Sequence, residues 1–376
     1  MTPADSLARL RLARSEGVGP QGFRRALQQH GDAARALRAL AANDPRRVAD
    51  ASAVEREFRA VLGMGGTWLH LGAPDYPPLL AALDDAPPVL AALGEMGLLR
   101  GRAVAVVGAR NASTAGRRLA GDMAEALAEA GVTVTSGLAR AIDTAAHLGA
   151  LRHRRTVAVI PGGLDVAYPP ENRGLQSRIA EEGLLLAESP LGTAPLARHF
   201  PRRNRIVAGL SLGVVVVEAA HRSGTLITAR LGAEAGREIY AVPGSPLDPR
   251  CAGSNDLLRN GAHFCETAAD VLATLPATAE AVPVFRRPPR APARQETRRQ
   301  EAEIPDEPPP SGAPDLLSLI GPTPVPVDEV LRHCHLSPPE ARAALLELEL
   351  EGLIEALPGN RVVRSGIQRT ERSGGL

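Results

Sequence analysis

Arg202, Arg203 and Arg205 fall within four residues around Asn204, in the run His199-Phe200-Pro201-Arg202-Arg203-Asn204-Arg205. Guanidinium forks match phosphate oxygens two at a time, so such a cluster suits anion binding better than acid–base catalysis. Five short segments point the same way: Gly108-Ala109-Arg110, Ser136-Gly137, Pro161-Gly162-Gly163, Ser223-Gly224-Thr225 and Pro243-Gly244. A turn of this kind that opens a helix presents free N–H groups and the positive dipole end to an anion, and glycine keeps a Cβ out of the way. Singly, each is as well explained as a packing glycine; together they favour an anion-binding edge that includes Arg110, Ser113, Gly137, Gly162, Ser223, Gly224 and Thr225. The segment Tyr168-Pro169-Pro170-Glu171-Asn172-Arg173 adds Asn172 and Arg173, with Tyr168 or Phe200 as a lone stacking surface. The alternative for the arginines is a structural ion-pair network with Glu188 or Glu218.

Catalytic groupings are thin. Asp143 and His147 share a helix face at i, i+4 spacing, which fits local capping better than catalysis. Glu218 ends an apolar run near Ser223-Gly224-Thr225, where a buried acid has the position of an acid/base group or a ribose contact. There is no nucleophile elbow and no HExxH, and His333-Cys334-His335 would point in different directions on a helix, so no metal and no cofactor are implied. All 43 basic residues are Arg. Without Lys there is no Schiff-base chemistry, no Walker P-loop and no protein-kinase site. The single Trp, three Tyr and five Phe argue against a multi-base stacking platform, and three Cys with no CxxC pair give neither a disulfide framework nor a zinc ribbon.

The elements that must position these residues are legible between Arg102 and Leu275. Apolar runs at Ala103–Val107, Val132–Thr135, Thr156–Ile160, Leu184–Ala187, Leu212–Val217 and Ile239–Val242 read as strands buried on both faces. Helical stretches at Ala115–Ala130, Asp143–Leu151 and Thr225–Ala235 separate them, and a further helix follows the arginine cluster to Ala208. The alternation predicts an α/β fold with a doubly wound, mostly parallel sheet, whose ligands sit at the carboxyl ends of the strands. Dinucleotide binding fits poorly, because the first turn is not GxGxxG and the second strand ends without an acid for a ribose.

Residues 1–62 read as a helical unit in which helix, Gly17-Val18-Gly19 turn and helix have the form of a helix-hairpin-helix; a plain tight turn fits equally. Residues 63–275 form the central unit, entered through a Pro-rich, partly irregular stretch from Trp68 to Leu93. Residues 276–312 carry an arginine run and then acids and prolines, the composition of a disordered linker. Residues 313–365 show two short helices, a Ser337–Glu340 capping box opening a third, and a hairpin at Ile354–Leu357 and Arg361–Arg364. This is a winged-helix layout, followed by a tail at 366–376. Glu340, Glu347, Glu349 and Glu351 on its third helix repel phosphate, so this unit is expected to contact protein rather than DNA.

The chain of 376 residues has a formal net charge of +1, so any basic site must be local. No apolar run reaches the ~18 residues of a membrane span and no signal-like start is seen, so a soluble, cytoplasmic chain is expected.

Taken in order, VAVVGAR (Val104–Arg110), SGLARAIDTAAH (Ser136–His147), PGGLDVAY (Pro161–Tyr168), FPRRNRIVAG (Phe200–Gly209) and VEAAHRSGTLIT (Val217–Thr228) resemble the DNA-processing protein A (DprA/Smf) family. LGAPDYPP (Leu71–Pro78) and GSNDLLRNGA (Gly253–Ala262) fit as well. The resemblance implies a Rossmann-like domain with a SAM/helix-hairpin-helix-like N-terminus and a winged-helix-like C-terminus. It further implies a cytosolic, non-catalytic protein that binds single-stranded DNA in natural transformation, dimerises through the Rossmann-like domain and loads RecA recombinase. The family's arginine, glycine-loop and FPxRNR contacts match Arg110, Gly137, Gly162, Arg203, Asn204 and Arg205. Family members have Ser and Gly where Ala109 and Ala141 stand here, and commonly a basic residue at Pro170-Glu171, which would shift that contact to Arg173. The enzymatic rival is a nucleoside-monophosphate phosphoribohydrolase of the lysine-decarboxylase-like (LOG) type, whose PGGxGT loop is only half present at Pro161–Asp165.

Overall fold

The computed structural model describes residues 1–277, 316–334, 336–351 and 353–365. The chain opens with α1 (Pro3–Arg14), α2 (Pro20–His30), α3 (Ala33–Asn43) and α4 (Ala51–Gly63). Thr2, Asp32 and Asp50 cap three of them by accepting backbone N–H groups. Leu12, Phe23, Ala33, Ala36 and Leu37 form a small core of their own. The Gly17 turn, at φ 72°, is backed by the Arg47 guanidinium, which donates to the Glu16 carbonyl.

The central unit follows as β1 (Thr67–His70), α5 (Pro78–Ala81), β2 (Val89–Gly94), β3 (Ala103–Val107), α6 (Thr114–Glu129), β4 (Thr133–Ser136), α7 (Ile142–Leu151), β5 (Thr156–Ile160) and α8 (Arg173–Glu182). It continues with β6 (Leu184–Ala187), α9 (His199–Gly209), β7 (Gly213–Val216), α10 (Thr225–Glu234), β8 (Glu238–Ala241), α11 (Ala252–Arg259), β9 (His263–Phe264) and α12 (Ala268–Thr274). The sheet runs β1-β2-β6-β5-β4-β3-β7-β8-β9, parallel from β6 to β9, with β1 and β2 antiparallel at one edge. Alternation within β3 divides the core: Val104 and Val106 face α6 and α7, while Ala105 and Val107 join Ile206 and Val207 of α9 on the other face. The strand order reverses between β3 and β7, so the crevice beyond their ends is the topological switch point.

The expected strands lie within a residue or two of the observed ones. Two differences have identifiable causes. The stretch read as partly irregular from Trp68 to Leu93 contains β1 and β2, which pair with each other, and the pairing of β2 with β6 that joins them to the sheet is non-local and hidden by the surrounding prolines. Helix α9 begins at His199, not after the arginine cluster, because Pro201 stands in its first turn, where no intrahelical N–H is lost.

The helical unit is fixed to the sheet. Arg14 donates to both Glu57 oxygens (2.8 and 3.1 Å) and to the Glu188 carbonyl (3.0 Å), and Arg24 holds the Ala81 and Leu83 carbonyls. Leu10, Val54 and Val61 share a core with Trp68 and Val89.

The C-terminal unit comprises α13 (Leu316–Leu319), β10 (Val325–Pro326), α14 (Val327–His333), α15 (Pro338–Leu350), β11 (Ile354–Leu357) and β12 (Arg361–Arg364). The capping box forms as expected, Glu340 accepting the Ser337 N–H at 2.9 Å. The stretch read as a linker lies, apart from residues 276 and 277, outside the described residues, as do His335 and residues 366–376.

Two buried histidines make stability depend on pH. His70 meets the Ser6 hydroxyl at 2.5 Å, and burial, aided by Arg9, pushes it down to about 4. His147 bonds Thr156 through Nδ1 at 2.7 Å, and burial, aided by Arg203, pushes it down to about 3. Above the ordinary value of 6.5 both are neutral in either state and contribute nothing to the pH dependence. Below it the unfolded chain takes protons that the folded chain refuses, so stability falls until the folded values are reached. Each histidine is worth on the order of 3–5 kcal/mol over that window. Urea melts at pH 7, 5.5 and 4.5 should show the fall, and equal midpoints at all three would contradict it.

Candidate functional site

The carboxyl edge of the sheet gathers an arginine–aromatic cluster from three elements. Arg110, exposed just beyond β3, lays its guanidinium 4.6 Å from the centroid of Phe200 at the start of α9. Arg203 approaches the same ring at 5.9 Å, and Tyr168, from the β5–α8 loop, meets it edge-on at 5.6 Å. Cation–π contacts of this kind hold an arginine flat while leaving its donors to outside partners. Arg202 and Arg173 are exposed, and Asn204 is half-buried, its Oδ1 accepting from Arg203 Nε at 3.0 Å.

The glycines of the edge are mostly closed. A Cβ on Gly108 would lie 2.5 Å from Ile142, one on Gly162 2.7 Å from the Thr193 carbonyl, and those on Gly137 and Gly244 would meet Arg203 and Cys251. Four of the five expected phosphate turns are therefore packing glycines, where strand-to-helix turns press against neighbouring backbone and side chains. The N–H groups are also engaged: Gly137 donates to Asp143 at 3.1 Å, and Gly244 to Asn255 at 3.1 Å. Gly224 differs, since nothing lies within 4 Å of its open side at the start of α10. Beside it Ser223 accepts the Thr225 N–H at 3.2 Å, and Thr225 donates to the Gly108 carbonyl at 2.9 Å.

Ser113 is buried. It caps α6 by accepting the Gly116 N–H at 2.9 Å, and its N–H and hydroxyl donate to Glu218 at 2.9 and 2.5 Å. The carboxylate thus sits where a dinucleotide phosphate would lie, and Glu218 is neither a free acid nor a ribose ligand. Asn172 is also buried, pinning the Leu138 carbonyl and the Thr144 hydroxyl, both at 2.9 Å.

Arg203 and Arg205 are only 6% and 7% exposed. Arg203 bonds the carbonyls of Gly137 and Val159, the latter at 3.0 Å, and burial lowers its pKa to about 10 against the pull of Asp143. Burial pushes the Asp143 carboxyl up, opposed chiefly by Arg203 and by the N–H groups of Ala139 and Gly137. Asp143 and His147 thus serve different partners, as local structure rather than catalysis requires. Arg205 grips both Glu188 oxygens at 2.6 and 2.7 Å and the Asp85 carbonyl at 2.5 Å. For Arg205 the geometry is that of the ion-pair alternative.

Two further basic residues lie at this edge and were not singled out in the sequence. Arg140 follows the β4 turn, with Nε 2.5 Å from Glu171 Oε1. Arg222 is exposed immediately before the open α10 turn. Either would have been reached by asking which arginines fall within three residues of the glycine in a strand-end turn. Ala141 has φ 62° and ψ −101°, a conformation costly for a residue with a Cβ. Ala141→Gly is expected to raise stability by about 1 kcal/mol in urea melts, and a loss would show that the turn is unstrained.

Comparison with known proteins follows the same outline. The DNA recombination-mediator protein A family matches residues 67–276, the DprA-like N-terminal HHH domain residues 3–60 and the DprA winged helix domain residues 300–360. Protein Smf of Escherichia coli is 40% identical over 291 residues, spanning 76% of this chain and 74% of that protein. DNA processing protein DprA of Streptococcus pneumoniae is 45% identical over 199 residues, spanning 53% of this chain and 70% of that protein. The X-ray structure of DprA from Streptococcus pneumoniae superposes with a TM-score of 0.64 at 33% identity, covering 73% of this chain and 99% of that one. DNA processing protein A from Helicobacter pylori, whose structure concerns a single-stranded DNA binding mode, superposes at 0.51 and 29% identity over 56% of this chain and 95% of its own. With its central domain, helical unit and winged helix all matched, the chain belongs to the DNA recombination-mediator protein A (DprA/Smf) family.

Proposed function

We propose that this chain binds single-stranded DNA without catalysis, holding the strand by its phosphates along the sheet edge. The observation that carries the reading is the Arg110–Phe200–Tyr168 cluster, an exposed guanidinium backed by a ring, with Arg202 and the open Ser223-Gly224-Thr225 turn on the same edge. In this reading Arg110, Arg173, Arg202, Asn204, Ser223, Gly224 and Thr225 meet the strand. Ser113, Gly137, Gly162, Asn172, Arg203 and Arg205 hold the edge in shape from beneath. A relative described by its single-stranded DNA binding mode supports the ligand. The wider role proposed is protection of incoming DNA in natural transformation and its transfer to RecA recombinase, by a cytoplasmic homodimer formed through the central domain.

Contact by phosphates predicts tolerance of sequence and sensitivity to salt. With ~3–5 phosphates neutralised, log K against log salt should fall with a slope of roughly −2 to −3.5. Gel shifts with single-stranded and duplex DNA at several salt concentrations test this, and a flat salt response or a preference for duplex would overturn it. The phosphoribohydrolase alternative predicts adenine release from AMP. Its expected phosphate loop at Gly162-Gly163 is covered, Gly163 donating to the Thr193 carbonyl at 3.1 Å.

A further inference from the structure

The crevice beyond β3 and β7, where an open α/β sheet receives its ligand, is closed by the protein itself. Glu218 occupies the start of α6, and the C-terminal unit lies over it. The hydroxyl of Thr114 donates to the Leu319 carbonyl at 3.0 Å, and Arg250 Nη1 donates to the Ser318 carbonyl at 2.8 Å. These two carbonyls end α13, where no intrahelical N–H reaches them, so donors of the central unit cap a helix of the C-terminal one. Ala115 packs into the apolar core of the C-terminal unit, and Arg118 lies 4.0 Å from Glu329. A cavity of about 180 Å³ remains between Ser113, Glu218 and Asp248 below and Gly321 and Thr323 above.

Docking takes up one donor of Arg250, and two cations beside the edge that Arg110 leads lie under or against the contact. Arg250 is committed to Asp248 at 2.8 Å and to the Ser318 carbonyl, and Arg117 is half-buried, burial pushing its pKa down against the pull of Glu218. The polar contacts between the units are few and individually modest. The C-terminal unit belongs to the same chain, however, and a covalently joined partner acts at roughly millimolar effective concentration. A weak contact is then mostly occupied, yet open to displacement by a competitor.

We propose that the C-terminal unit is a plug acting within its own chain. Docked, it ends the strand-binding edge at Arg110 and the Ser223-Gly224-Thr225 turn; released, it uncovers Arg117 and frees a donor of Arg250, and a longer strand continues across the crevice. The proposal rests on the strand-binding reading above and adds that the edge has two lengths. If the released form is about one-tenth populated, docking weakens binding of a long strand roughly tenfold and leaves a short one untouched.

The test uses the full chain with oligothymidines of about 6 and about 20 nucleotides, and hydrogen exchange across Leu316–Gly321 as the measure of docking. The longer strand should raise exchange there and the shorter should not. Ala115→Gln, which wedges the contact without changing charge, should raise exchange in the absence of DNA. It should also tighten the longer strand by up to about tenfold at constant affinity for the shorter. Thr114→Val, which removes one donor at constant volume, should act in the same direction and carries the test if the wedge unfolds the unit. Released docking with unchanged or weaker binding of the longer strand would overturn the plug and leave strand binding standing. Failure of both oligothymidines to bind the unaltered chain would instead overturn strand binding.

Discussion

Arg205→Ala is expected to lower the unfolding free energy by about 3–5 kcal/mol, because truncation leaves the half-buried Glu188 carboxylate without its bidentate partner. The Asp85 carbonyl loses its donor in the same step. The contact also joins layers: Glu188 lies just beyond β6, and its own carbonyl receives Arg14 from the helical unit. For a domain of this size the melting temperature should drop by roughly 10 °C. A double-mutant cycle with Glu188→Ala separates the pair from the rest, since the second truncation should recover part of the loss. A change below about 1 kcal/mol for Arg205→Ala would mean that Glu188 is solvated well enough to need no partner.

Arg110→Ala is expected to weaken single-strand binding by about 1–2 kcal/mol, or roughly 5- to 30-fold, with a nearly unchanged melting temperature. The contrast with Arg205 follows from exposure: Arg110 stands in solvent against the Phe200 ring, and no intramolecular carboxylate or carbonyl is capped by it among the described residues. Its Lys variant should recover only part of the affinity, because an ammonium lacks the planar fork. Fluorescence anisotropy at fixed salt, paired with thermal melts, reads both quantities. If binding and stability fell together, Arg110 would be a structural residue and the strand contact would lie elsewhere. Arg203→Ala, by contrast, should lose both, since its guanidinium fills the space beside Gly137 and bonds two carbonyls.

The local pattern carried most of the architecture. Strands Ala103–Val107, Thr156–Ile160 and Leu184–Ala187 have the limits expected from their apolar runs, because strands buried on both faces leave an unbroken signature. The Ser337–Glu340 box likewise fixed the start of α15 through bonds spanning only three residues. Strands β1 and β2 were less legible, since they join the sheet only through the pairing of β2 with β6, about a hundred residues away in sequence.

The candidate site divides in the same manner. Residue types alone placed arginines and glycines at the strand ends, and thereby an anion-binding edge on one side of a doubly wound sheet. Residue types could not say which groups face the solvent. Ser113 and Arg205 look as available as Arg110 when read along the chain, yet Glu218 and Glu188 reach them across the sheet edge. A carboxylate that becomes a neighbour only on folding decides whether a donor is spent inside the protein or left for a ligand. That neighbourhood is set by sheet order and helix packing, so the chain determined which elements form, and only their assembly determined which charges remain open.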